Sequence, residues 1–329
     1  MSRWFSRLRD GLDQFATARP RPAVDYAEVL DVDEGPLASR RNVVLRGLGG
    51  SLLGIVTFVL ATPLLGYGLM ALFWVVAGRP GEFVSFYTDI VTFHGPWGML
   101  GAHLGLAMLI PLSMALYLVV HRMHPRWLHS VQPGVRWRFL LGCLLVAAVL
   151  LNAVLALSVM GQPLTIRPQE GFWAFLVVIL LTSPLQAAAE EYFFRGYLIQ
   201  AIHPTVARSP WFGVVASAAV FALFHGTQNL PLFLDRFAFG VLAGVLVVKT
   251  GGLEAAIGAH IVNNVFAFIY AGLTSTIAEV KATKVIGWVD AAWDLAGFAL
   301  YTVAAIWLAR RMQVAIRTPG RPEPGLASS

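Results

Sequence analysis

The sequence predicts an all-α fold, a polytopic membrane bundle of about eight transmembrane helices. Three observations carry this. Of the 329 residues, 57% are hydrophobic and 13% charged, a balance that no single soluble core can bury. Runs free of Asp, Glu, Lys and Arg recur at about the 20-residue length that a helix needs to cross a bilayer. Threading those runs alternately places 19 of the 24 Lys and Arg on one side, the asymmetry that retains basic loops in the cytoplasm.

Residues 1–46 form a cytoplasmic N-terminal region. In 1–15, Trp4, Phe5, Leu8, Leu12 and Phe15 share one face of a helix with Arg3, Arg7 and Arg9 nearby, which suits a helix lying on the inner membrane surface; a disordered basic tail is the alternative. Residues 19–42 carry Pro, Asp and Glu without periodicity and read as a linker. The uncharged runs 47–78 and 98–120 are the first two spans, and the basic aromatic loop 121–138 reads as a headgroup anchor. Spans follow at 139–160, 171–189, 209–234, 237–248 and 255–278, and at 288–309, where Asp290 and Asp294 intrude near the start. This divides the chain into two added spans with their loop (47–134), a core (135–310) and a disordered cytoplasmic tail (311–329).

Both termini are expected in the cytoplasm, with the protein in a cytoplasmic membrane of bacterial type. The net charge of +6 then follows topology and attraction to anionic headgroups, not nucleic acid. The single cysteine, Cys143, lies in a span, which excludes an intramolecular disulfide and a multi-cysteine metal site.

Polar residues inside apolar helices cost energy unless they face a cavity or a partner. The stretch AAAEEYFFRG, 187–196, places Glu190, Glu191 and Arg195 just beyond Pro184. Glu191 and Arg195, four apart, share a face and can pair, whereas Glu190 lies about 100° round the axis and is left spare. A desolvated carboxylate without a cation suits proton exchange. FALFH ends in His225, and HIVNN sets His260 and Asn264 one turn apart, with Asn263 on another face. Such groups can also serve as interhelical glue. Together they hold what peptide-bond hydrolysis needs: a base for water, a group to hold that water and donors to an oxyanion.

EEYFFR, FALFH and HIVNN fit the EExxxR, FxxxH and HxxxN motifs in order. The chain thereby resembles the CPBP family of intramembrane proteases (CAAX proteases and bacteriocin-processing enzymes), also called the type II CAAX prenyl endopeptidase or Abi family, over roughly 135–310. The resemblance implies that Glu190 activates water, His225 helps to position it, His260 and Asn264 stabilise the oxyanion, Glu191 and Arg195 form a supporting ion pair, and Phe221 packs. The substrate would be a membrane-associated or lipidated protein or peptide. No cofactor is required by this reading. Metal dependence stays open: Glu190, His225 and His260 would be the ligands of a zinc ion if one bound, yet no HExxH is present and Asn is a poor zinc ligand.

The site is expected to open toward the cytoplasm. If span 4 begins near Phe172, Glu190 lies close to that boundary while His225 lies about 20 Å from Trp211, so tilt, a kink at Pro184 or a recessed span 5 must bring them level. Asp235, Arg236, Asp290 and Asp294 are expected as a structural ion-pair group toward the outer side. Two other readings remain: a catalytically silent membrane scaffold or regulator, and an ion- or proton-coupled transporter that uses the outer charges.

Overall fold

The computed structural model describes residues 11–32, 39–206 and 209–320. The face expected for Trp4, Phe5 and Leu8, together with Arg3, Arg7 and Arg9, lies outside these residues. The protein is a polytopic helical bundle with no strand among the described residues. Its elements are α1 (Arg40–Val76), α2 (Phe83–Val91), α3 (Pro96–Val119), α4 (Trp137–Ser158), α5 (Phe172–Thr205), α6 (Pro210–Leu223), α7 (Leu230–Thr250), α8 (Glu254–Thr274), α9 (Ile277–Ala282) and α10 (Trp288–Arg311). Seven of them, α1, α3, α4, α5, α7, α8 and α10, are long and apolar enough to cross a membrane. Their outward leucines, valines and tryptophans, such as Leu60, Val149, Trp173 and Val303, are exposed because the surrounding solvent is lipid.

The expected fifth span, 209–234, is built differently. α6 has 14 residues, about 21 Å of helix, and 224–229 continues without regular structure before α7 starts at Leu230. Irregular backbone at membrane depth survives only where it lines a cavity or is covered by protein, and Phe224 to Thr227 do line one. Asn229 then receives its bonds from the far loop. Its N–H donates to the Lys284 carbonyl at 2.9 Å and its side chain to that of Ile286 at 2.8 Å.

Both described ends of the chain lie on one face. Thr318 N–H donates to the Val24 carbonyl at 2.9 Å, its hydroxyl bonds the Arg21 carbonyl at 2.7 Å, and Arg317 meets Asp25 at 3.0 Å. An even number of crossings follows, with α6 and 224–229 as the extra one. The tail expected to be unstructured beyond residue 310 is therefore ordered as far as Gly320, and the linker carries the buried Tyr26, whose hydroxyl donates to the Leu128 carbonyl at 2.5 Å. Apolar patterning alone hid this, because the contacts join polar groups of segments some 290 residues apart.

The same face folds part of the loop 121–138 inward, while Arg126, Trp137 and Arg138 stay exposed. His121 bonds Tyr197 at 3.3 Å and His129 bonds Tyr192. Burial, with Arg46 nearby, pushes the His121 imidazole down to about 3. Arg136 donates to Glu254 at 2.9 and 2.5 Å and to the carbonyls of Thr250 and Ala315, each at 2.9 Å. One guanidinium thus ties together the start of α4, the α7–α8 turn and the tail.

Within the bundle α5 is central, packed against α3 and α8, while α4 joins α8 to α10 and α10 joins α7. α1 crosses the second half of α5 through Gly47 and Gly50; a Cβ at Gly47 would collide with the Ala201 carbonyl oxygen. Cys143 is buried in α4 against Gly258.

Candidate active site

The motif AAAEEYFFRG does not end a helix at the membrane boundary. α5 runs on to Thr205, with Glu191–Leu198 wound as a π-helix. Glu190 therefore stands 15 residues before the end of α5, and His225 stands 15 residues after Pro210 at the start of α6. Both border one cavity, so the expected mismatch in depth does not arise. Wide turns of this kind inside α-helices recur at functional sites.

Both glutamates reach one histidine, which the α-helical projection had set apart. His260 Nδ1 is 2.7 Å from Glu191 Oε1, and its Nε2 is 3.4 Å from Glu190 Oε2. Arg195 closes the set, its guanidinium 3.2 Å from the same Glu191 oxygen. Glu191 and Arg195 are fully buried. An unpaired charge in that position would cost several kcal/mol, so the carboxylate and the guanidinium hold each other and Glu191 in turn orients the imidazole.

Aromatic rings complete the arginine's surroundings. Arg195 lies 4.2 Å from the centroid of Phe221 and 5.3 Å from that of Phe239, where the faces of the rings attract a cation. Gly240 leaves the room: a Cβ there would lie 3.3 Å from the guanidinium and 2.8 Å from Ala218. Phe221 thus does more than pack. Its carbonyl accepts from His225 Nδ1 at 2.7 Å, and its ring meets the His225 ring at 4.5 Å. This bond places the proton of a neutral His225 on Nδ1 and leaves Nε2 as the acceptor of a ring exposed on the cavity wall.

One turn from the carboxylate, Asn264 donates to Gln186 Oε1 at 2.9 Å, and the exposed Asn263 donates to Asn264 at 3.3 Å. Gln186 was not anticipated. Its signal in the sequence was its place four residues before Glu190, on the same helical face. Glu190, Gln186, His225, His260 and Asn264 all border a cavity of about 1050 Å³ that is also lined by Gly226, Thr227, Thr274, Ser275, Lys281 and Lys284. Thr274 and Ser275 lie at the end of α8 remote from the Gly251 turn. The expectation that the site opens on the face of the termini is therefore corrected: the covered loop 121–136 and the turn at Gly251 close that side.

The outer charges do not form the expected ion-pair group. No ion pair joins Asp235, Arg236, Asp290 and Asp294 among the described residues. Arg236 donates to Gln228 at 2.6 Å and Asp290 caps the N-terminus of α10 through Gly287 N–H at 2.9 Å, while Asp235, Arg236 and Asp294 line the cavity. Residues Glu190, His225 and His260 do not assemble as a metal cluster: no group of three or more His, Cys, Asp or Glu among the described residues could hold an ion. Both nitrogens of His260 already face carboxylates.

The residues of this geometry fall largely in a segment that is similar to a known sequence family. Residues 172–266 match the model of the type II CAAX prenyl endopeptidase Rce1-like family. A curated relative, the uncharacterized protein YyaK of Bacillus subtilis (strain 168), is 27% identical over 146 residues, which is 40% of this chain and 48% of the relative. The chain thus spans about half the length of the curated relative it matches. No solved structure matches it.

Proposed function

We propose that the protein is an intramembrane endopeptidase that hydrolyses a peptide bond of a membrane-associated or lipidated protein or peptide. The observation that carries this reading is His260 held between two glutamates, one anchored by Arg195 and the other facing a cavity within the family segment.

Glu190 takes a proton from water as the oxygen bonds to the carbonyl carbon, and returns it to the nitrogen as the C–N bond breaks. Glu191 accepts the Nδ1 proton of His260 and so fixes the ring with Nε2 toward Glu190, the role that a buried carboxylate plays behind a catalytic imidazole. Asn264, held by Gln186, keeps a second amide proton for the developing oxyanion, and His225 Nε2 accepts from the attacking water. With both termini cytoplasmic, as the basic residues suggest, the cavity would open to the outer side.

The test uses purified full-length protein in detergent with farnesylated and unmodified peptide libraries in H₂¹⁸O, read by mass spectrometry. New C-termini carrying a single ¹⁸O, absent with folded Glu190→Ala and His260→Ala, are expected. Cleavage that survives both substitutions would remove the catalytic assignment; a cellular phenotype that persists unchanged in both would favour a scaffold role.

A further inference from the structure

One hydrogen-bonding group on the cavity wall is not used by that chemistry. His103 sits in α3, outside the family segment, and is 3% exposed. Its Nδ1 lies 2.9 Å from Thr182 Oγ1. The Thr182 hydroxyl has one proton and gives it to the Val178 carbonyl at 2.7 Å. Its oxygen therefore accepts from His103, and the imidazole carries a proton at Nδ1. A second proton would make a buried cation with no carboxylate beside it, which membrane interiors penalise. Nε2 is left as a bare acceptor. No group among the described residues bonds it, and the ring borders the cavity between Phe93 and Phe268, with centroids at 6.3 and 5.6 Å.

The position of this acceptor follows a ladder. Thr182, Gln186 and Glu190 recur every four residues on α5, and His260, Asn264 and Phe268 do so on α8. Each step is about 6 Å along a helix. The two helices pack together and are cross-linked at Glu190–His260 and Gln186–Asn264, and His103 bonds the third rung. An extended peptide repeats its like-facing backbone groups every two residues, about 6.6 Å. A strand laid from Glu190 toward the cavity mouth keeps step with these rungs.

We infer that His103 Nε2 accepts a backbone N–H of an extended peptide substrate, about four residues from the scissile bond. His103 is then a positioning residue, and the substrate lies as a strand along α5 and α8. This rests on the protease reading, and the experiment separates the two. Full-length wild type, His103→Phe and His103→Asn are compared on library-derived peptides of graded length on each side of the cut, with folding checked by thermal unfolding.

His103→Phe should raise KM roughly three- to tenfold, the worth of one neutral hydrogen bond, with kcat little changed. The loss should appear only for peptides that reach beyond about four residues on one side. His103→Asn, which retains an acceptor, should recover part of it. N-methylation of the matching substrate amide should cost wild type the same factor and cost His103→Phe nothing more. Equal losses for short and long peptides, or additive losses on N-methylation, would overturn the inference. If His103→Phe fails to fold, an N-methyl scan on wild type decides alone, and a flat scan overturns it. Failure of folded wild type to cut any library member removes the protease reading and the inference with it, whereas cutting with a flat scan removes only the inference.

Discussion

Among the described residues, two buried arginine–glutamate pairs differ in their surroundings. Arg136 and Glu254 are joined by two side-chain hydrogen bonds, and the remaining guanidinium donors reach the carbonyls of Thr250 and Ala315. Arg195 and Glu191 make one contact at 3.2 Å, and aromatic rings take the place of further acceptors. The first pair closes the face of the termini. The second leaves Glu191 with capacity to hold His260. Saturated hydrogen bonding marks a staple, and an under-saturated pair beside a cavity marks a site where structure gives up some stability for orientation.

Substitutions can break this comparison. The largest effect on activity is expected for Glu190→Gln, which keeps the shape and removes the base: turnover should fall by about 10²–10⁴-fold with the unfolding temperature unchanged, as measured by peptide cleavage beside thermal unfolding. Glu254→Gln leaves Arg136 without its counter-charge and should cost about 3–5 kcal/mol of stability, seen as a lower unfolding temperature, while activity per folded molecule persists. Glu191→Gln should do both in part. It unpairs Arg195 and frees His260, so turnover should drop about 10–100-fold, as loss of an orienting partner does elsewhere, together with a smaller thermal shift.

The long apolar helices, the motif residues and the Glu191–Arg195 pair were legible in the sequence because each leaves a local trace: uncharged runs, and polar residues at helical spacing inside them. The π-helical turns at 191–198 were not, since no residue type demands them, and so the joint grip of Glu190 and Glu191 on His260 could not be projected from a regular helix. Nor could Arg136 be told from a headgroup anchor, because its partner Glu254 is 118 positions away. His103 shows the same limit: an isolated histidine in a span means little until Thr182 and Val178 fix where its proton lies.

The smallest expected effect concerns acid on the covered face. With His121 held near 3 when folded and at about 6.5 when unfolded, only the unfolded chain takes up the proton between those values. Stability from this residue is complete above about pH 6.5 and declines as pH falls toward 3, at up to roughly 1.4 kcal/mol per pH unit. His121→Gln should flatten that part of the decline between pH 7 and 5, measured by unfolding temperature; an unchanged slope would show that the residue does not titrate this way.

The central contrast is best tested by measuring peptide-cleavage rate and unfolding temperature on the same preparations of wild type, Glu190→Gln and Glu254→Gln. Catalysis at the cavity and stapling at the opposite face require that Glu190→Gln loses the rate and keeps the temperature, while Glu254→Gln loses temperature and keeps the rate per folded molecule. A folded Glu190→Gln protein that cuts at the wild-type rate would contradict the assignment of the site.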